Sequence, residues 1–159
     1  MRPRKILRLS GADARDFLQG LITSDVNKID QGLVYAALLT PQGKYLADFF
    51  LAADGADVLL DADAEQAEAL LKRLTMYRLR AKVDITPTDL QVMRGTGTAP
   101  AGALADPRHA DLGWRLIGAE GGEDGTDWDA LHVAHCIPRS GIGRVICSGL
   151  NRAKKISHR

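Results

Sequence analysis

The sequence is short of the features that assign a protein most quickly, and each shortage excludes something. Its 159 residues include 2 cysteines, Cys136 and Cys147, too few for a disulfide framework and without the CxxC pairing of a metal site. By themselves they cannot hold an iron–sulfur cluster, which draws on a larger set of thiolates. The 4 histidines, His109, His132, His135 and His158, show neither HxxxH nor HxE spacing, so no metal site is expected from them. A formal net charge of +1 supplies no general drive toward nucleic acid or an anionic membrane, so a charged ligand must be met by a local cluster. No window approaches the about 18 apolar residues of a membrane-spanning helix. The opening MRPRKILRLSG is basic, but Arg8 breaks the apolar run a secretory signal needs. These absences together predict a cytoplasmic, soluble protein with neither membrane nor nucleic acid as partner. Self-similarity at a repeat period is also missing.

What is present is enough apolar material, 45% of residues, to build a core for one compact domain, or a domain with a fragment attached. Lys5 to Leu9 alternates apolar and basic residues, predicting a strand that ends at Ser10-Gly11. A helix follows, with Ala14, Phe17, Leu18 and Leu21 at helical spacing and Asp13 in its first turn. Leu33 to Thr40 and Tyr45 to Leu51 are apolar runs around the turn signal Pro41-Gln42-Gly43, a hairpin that Asp57 to Asp61 extends into an antiparallel meander. Ala64 to Met76 is the longest predicted helix, with Ala67, Leu70, Leu71 and Leu74 on one face. Arg80 to Thr86 predicts a strand stopped by Pro87, and Leu90 to Met93 another.

Farther on, GTGTAPAG (residues 95–102) has the composition of a linker or mobile loop, and GAEGGEDG (residues 118–125) is a second glycine-rich stretch. DWDALHVAHC predicts a helix capped by Asp127 and ended before Pro138. The last residues, RAKKISHR, form a basic tail.

Two features could carry chemistry. Asp48 is an acid inside the apolar strand LADFFL; burying it is costly without a partner, so it either faces solvent or meets a ligand. Lys72, Arg73, Arg78, Arg80 and Lys82 surround Tyr77, and such a cluster is either a solvated face or a receptor for an anionic tail. Gln42-Gly43-Lys44 reads as turn chemistry, with Gly43 permitting positive φ.

In order and spacing, GADARDFLQGLITSDV, LLTPQGKYLADFFL, MYRLRAKV and WDALHVAHCIPRSG resemble the YgfZ-type folate-binding proteins, relatives of the aminomethyltransferase (T-protein) of the glycine cleavage system. The resemblance covers about residues 5–142 and implies an α+β fold: an antiparallel sheet with packed helices, the N-terminal part of the T-protein fold without its C-terminal β-barrel. It divides the chain into a folate-binding region, residues 1–94, a remainder of the same fold, residues 95–143, and a divergent basic tail, residues 144–159. It also implies tetrahydrofolate as ligand and support of iron–sulfur cluster assembly or repair, with iron–sulfur client proteins, a tRNA-modifying one included, as partners. The alternative implied is tetrahydrofolate-dependent aminomethyl transfer. Asp48 falls at the T-protein's catalytic aspartate and Tyr35 at a tyrosine lining its pterin pocket, while Arg78 and Arg80 would receive the folate glutamate tail.

The family's K-G-C-Y-x-G-Q-E motif is absent, and VICSGLNRAKKISHR after Arg144 matches no family segment. Truncation or a frame change is the expected origin, leaving an inactive folded module as a third alternative. The apolar surface bared by a missing barrel predicts a homodimer.

Overall fold

The structure, a computed structural model, describes residues 2–138; Cys147, His158 and the divergent tail lie outside them. The chain divides into two compact units, the first ending at Asp124 and the second beginning at Gly125.

The first unit opens with strand β1 (Arg4–Ser10), then helix α1 (Ala14–Gln19) and a 3₁₀ turn (Val26–Asp30). Asp13 does not cap α1 with its side chain. Its carboxylate instead accepts the Lys82 backbone N–H at 2.7 Å, tying the helix entry to the far end of the basic segment. Gly11 makes that tie possible: at φ 117° a Cβ would meet the Lys82 carbonyl oxygen at 2.2 Å. The hairpin strands are β2 (Val34–Leu39) and β3 (Tyr45–Asp54), followed by β4 (Asp57–Asp63). Asp63 then caps α2 (Ala64–Tyr77) by accepting the Glu65 N–H at 3.0 Å.

The predicted strand from Arg80 shortens to β5 (Asp84–Pro87). Residues 78–80 form a turn instead, in which Leu79 takes φ 42°. Pro87 is the last residue of β5 rather than its stop, and the edge position of that strand tolerates the missing N–H. These five strands make one antiparallel sheet in the order β2-β3-β4-β1-β5.

A second sheet is built from β6 (Gln91–Gly95), β7 (Leu104–Ala105), β8 (Trp114–Gly118) and β9 (Gly122–Glu123), in the order β7-β8-β6-β9. The glycine-rich stretch at 95–102 is therefore a loop within this sheet, and Asp124 accepts the Thr96 N–H at 2.6 Å there. Composition reports the absence of packed side chains, which is the same in a linker and in a loop between paired strands. Gly113 precedes β8 at φ 63°, where a Cβ would meet the Gly95 carbonyl oxygen at 2.1 Å.

Side-chain alternation gives the larger sheet two different faces. Leu7, Leu9, Phe49, Leu51, Val58, Leu60 and Ala62 pack with Leu18 of α1 and Leu70 and Leu74 of α2 in the main core. On the other face Ile6, Ala52 and Leu59 meet Val92, Leu104 and Ile117 of the second sheet.

Within the second unit, Asp127 accepts the Ala130 N–H at 3.0 Å and caps α3 (Trp128–Ala134). The helix ends at His135, ahead of Pro138 as its sequence predicts, with Cys136 at φ 52°.

Candidate functional site

The face of the larger sheet turned toward the second sheet collects the chain's chemistry. Antiparallel register places Tyr35 opposite Phe50 and Phe50 opposite Asp61, one row across three strands. Asp48 lies two residues before Phe50 and so shares its face. Both Tyr35 and Tyr45 donate phenolic hydrogen bonds to Asp48, one to each carboxylate oxygen. Burial, reinforced by the bond to Asp48, pushes the Tyr35 hydroxyl above its ordinary value, so it remains a donor at neutral pH. Tyr45 is 46% exposed and sets Asp48 at the rim of the sheet rather than in its interior.

Behind this clasp is a buried ionic network. Asp61 accepts from Arg4 Nε at 2.6 Å and from Arg115 Nη1 at 3.2 Å. Asp106 accepts from Arg115 Nε at 3.2 Å and from Arg108 Nη2 at 2.7 Å. Phe50 lies under the cations, its ring centre 4.0 Å from the Arg115 guanidinium carbon and 4.8 Å from that of Arg108. Arg108 also covers Tyr35 at 5.5 Å.

Burial alone would raise the Asp106 carboxyl, but the hydrogen bonds and charge of Arg108, with Arg115 behind it, outweigh burial and hold it below its ordinary value. Burial pushes Arg115 down to about 10 against the attraction of Asp61 and Asp106, which still leaves it charged at neutral pH.

The structure thus joins Tyr35 and Asp48 but does not bring Arg78 and Arg80 to them. Arg78 caps the end of α2 and pairs with Asp84 of β5 at 3.3 Å; Arg80 is exposed in the following turn. Helix α2 covers the opposite face of the sheet, and β4 and β1 separate β3 from β5, roughly 14 Å at ordinary strand spacing. Arg78 and Arg80, expected to receive the glutamate tail, therefore stand apart from Tyr35 and Asp48, toward the face that α2 covers.

Cations that do lie near the clasp, Arg108 and Arg115, escaped sequence reading because they come from the second sheet and its loops. Tyr45 had a usable signal, its spacing of three residues from Asp48 across the hairpin entry. Asp61 and Asp63 in LLDAD were legible as acids in an apolar strand, the same signal that singled out Asp48.

Chemically, a carboxylate is an acceptor-only group, the kind that receives an N–H donor. The rings of Tyr35 and Tyr45 add flat apolar surface beside it. This donor and ring set fits the amine-bearing edge of a reduced pterin.

A solved structure shares this architecture: the glycine cleavage system aminomethyltransferase T from Bartonella henselae matches with a TM-score of 0.51 at 20% identity, over 55% of this chain and 25% of that one. The class defined is an α+β protein carrying part of the T-protein fold. No model of a known protein family matches the chain. Among curated proteins, the iron-sulfur cluster assembly factor IBA57 homolog, mitochondrial, of Pyricularia oryzae is 31% identical over 137 residues, 74% of this chain and 34% of that protein. The mitochondrial IBA57 of Homo sapiens is 32% identical over 163 aligned positions, 79% of this chain and 46% of that protein. The chain belongs to the IBA57/YgfZ-type family and spans between 34% and 46% of the length of these two relatives.

Proposed function

We propose that this chain provides the folate-binding part of an IBA57-type iron–sulfur cluster assembly factor. The observation that supports it is the Asp48 carboxylate clasped by Tyr35 and Tyr45 on the hairpin of a T-protein-like sheet. In this reading Asp48 accepts an amine N–H of tetrahydrofolate, and the two phenols keep its oxygens oriented so that binding orders little. Tyr35, kept protonated by burial, holds that orientation across neutral pH. The bound folate would supply one-carbon chemistry; the chain's own residues hold and orient it.

Holding is favoured over transfer. The T-protein has tandem acids where this chain has Ala47-Asp48, and Ala47 points into the apolar core. Aminomethyl transfer remains the second reading, and a methylene-transfer assay separates it from the first.

Calorimetry with tetrahydrofolate tests the site. Asp48→Ala is expected to weaken binding by tenfold or more, about 1.4 kcal/mol, with a smaller loss for Tyr35→Phe. Absence of any heat with the unmutated chain overturns the folate reading and leaves a folded module without activity. Rescue of iron–sulfur enzyme activity, the tRNA-modifying class included, in cells lacking a relative tests the assembly role.

Two further parts of the proposal concern place and assembly. Among the described residues no helix is long and apolar enough to cross a membrane. The cytoplasm is proposed as compartment against relatives named as mitochondrial, with cell fractionation as the arbiter. A homodimer, proposed from the expected bare apolar surface, is read by sedimentation.

A further inference from the structure

A second concavity lies between the two sheets, lined by none of the clasp residues Tyr35, Tyr45 and Asp48. It has a volume of about 270 Å³ and is walled by Ala52 and Leu59 from the larger sheet and Leu104 and Ile117 from the smaller. Arg8 and Arg115 complete the lining used here. The walls are apolar on both sides, so the guanidinium groups are what distinguishes this slot from a packing gap.

Arg115 is 5% exposed. Its Nε and Nη1 are spent on Asp106 and Asp61, at 3.2 Å each, but Nη2 donates to no atom of the described residues. That edge is not among the fully buried side-chain polar atoms without a partner, so it is reachable from solvent, and Arg115 lines the slot where an incoming acceptor could meet it. In the ion pairs around it, three guanidinium groups, Arg4, Arg108 and Arg115, are set against the two carboxylates of Asp61 and Asp106. Asp54, also in the lining, is held by Arg8 at 2.7 Å.

We propose that the slot between the sheets binds a small aliphatic monocarboxylate, its carboxylate on Arg115 and its chain along Ala52, Leu59, Leu104 and Ile117. Size argues for the class: the slot equals roughly nine water volumes and falls below the about 300–1,000 Å³ of pockets for drug-sized ligands. A chain of roughly four to six carbons fits within it. Arg8, the other cation of the lining, is already paired with Asp54 at 2.7 Å and Asp57 at 3.0 Å, so Arg115 is the anchor and the class is a monocarboxylate. The slot shares no lining residue with the Asp48 clasp, so the proposal stands whether or not folate binds there.

The experiment is a titration of the full chain with hexanoate, followed through backbone amide NMR shifts, with hexanol as the uncharged match. Saturable shifts centred on Ala52, Leu59 and Ile117, with hexanoate at least tenfold tighter than hexanol, are expected. Ala52→Leu fills the slot from one wall and Ile117→Phe from the other, keeping every charge. Each should abolish the hexanoate shifts while amides of the α1 and α2 face stay unchanged, which reports that the variant is folded. Equal response to hexanol would reduce the site to an apolar crevice and overturn the proposal. Absence of saturable shifts, or hexanoate binding undiminished in both filled variants, would overturn it as well.

Discussion

The two faces of the five-stranded sheet solve the same problem by opposite means. Toward the helices, Phe49, Leu51, Leu60 and Leu74 are all within 0% of solvent exposure and interlock as hydrocarbon. Toward the second sheet, Asp61, Asp106 and Arg115 are no more than 5% exposed and interlock as charge. Strand β4 serves both, sending Val58, Leu60 and Ala62 one way and Leu59 and Asp61 the other. The apolar face gains from every buried surface independently and tolerates local loss. Its charged counterpart desolvates each ion and regains that cost only while all the partners are in place. A network with defined donors and acceptors also fixes the groups beside it: Arg108 lies over the ring of Tyr35, which in turn bonds Asp48.

The largest expected effect tests that dependence. Arg115→Met leaves Asp61 and Asp106 each short of a partner and should cost about 3–5 kcal/mol in chemical denaturation. A loss under about 1 kcal/mol would mean that the charged face is no more cooperative than a surface ion pair.

Leu60→Ala on the opposite face should cost about 2–5 kcal/mol through lost burial and the cavity left behind. Its penalty should be the same at low and neutral pH, because no titrating group is touched. A strong pH dependence of that penalty would show the faces to be coupled.

Acid separates the faces more sharply. The Asp106 carboxyl is held below its ordinary value in the folded chain, so in the unfolded chain it takes up a proton first as pH falls. Its contribution is complete above the ordinary unfolded carboxyl value of about 3.9 and is lost as pH drops through the lower folded value. Denaturation midpoints measured across that acid range should fall for the parent chain. The slope should flatten in Arg108→Met, which removes the partner that depresses the carboxyl.

The smallest effect lies on neither face. Leu79 is 89% exposed at φ 42°, a conformation that costs a branched side chain about 1–2 kcal/mol, part of which glycine returns as chain entropy. Leu79→Gly should stabilise by about 0.5–1 kcal/mol in thermal melts. A loss instead would mean that this side chain is packed in solution.

Much of the fold is legible along the chain because its signals are local. The hairpin reads from apolar runs around Pro41-Gln42-Gly43, and α2 from Leu70 and Leu74 at helical spacing. Asp127 and Pro138 bracket α3 for the same reason, since caps and breakers act on their own backbone neighbours. Where the reading fell short, a distant partner decided. Asp13 was expected to serve α1 but bonds Lys82. The strand expected from Arg80 begins only at Asp84, once the chain has left the Leu79 turn and reached the edge of β1. Of the candidate site, Asp48 was legible as an acid in an apolar strand; its partner Tyr45 and the cations beneath it were not singled out.

By itself the sequence determined the order of elements, the hairpin that carries Tyr35 and Asp48, and the kinship of the chain, since these reside in local pattern and motif spacing. Only the tertiary structure decided which charges meet. Whether a guanidinium in the second sheet reaches Asp61, or Arg78 reaches Asp48, depends on strand order and on which face each side chain leaves. Both are properties of pairing between segments far apart in the chain, and one residue's shift in register would reverse the face.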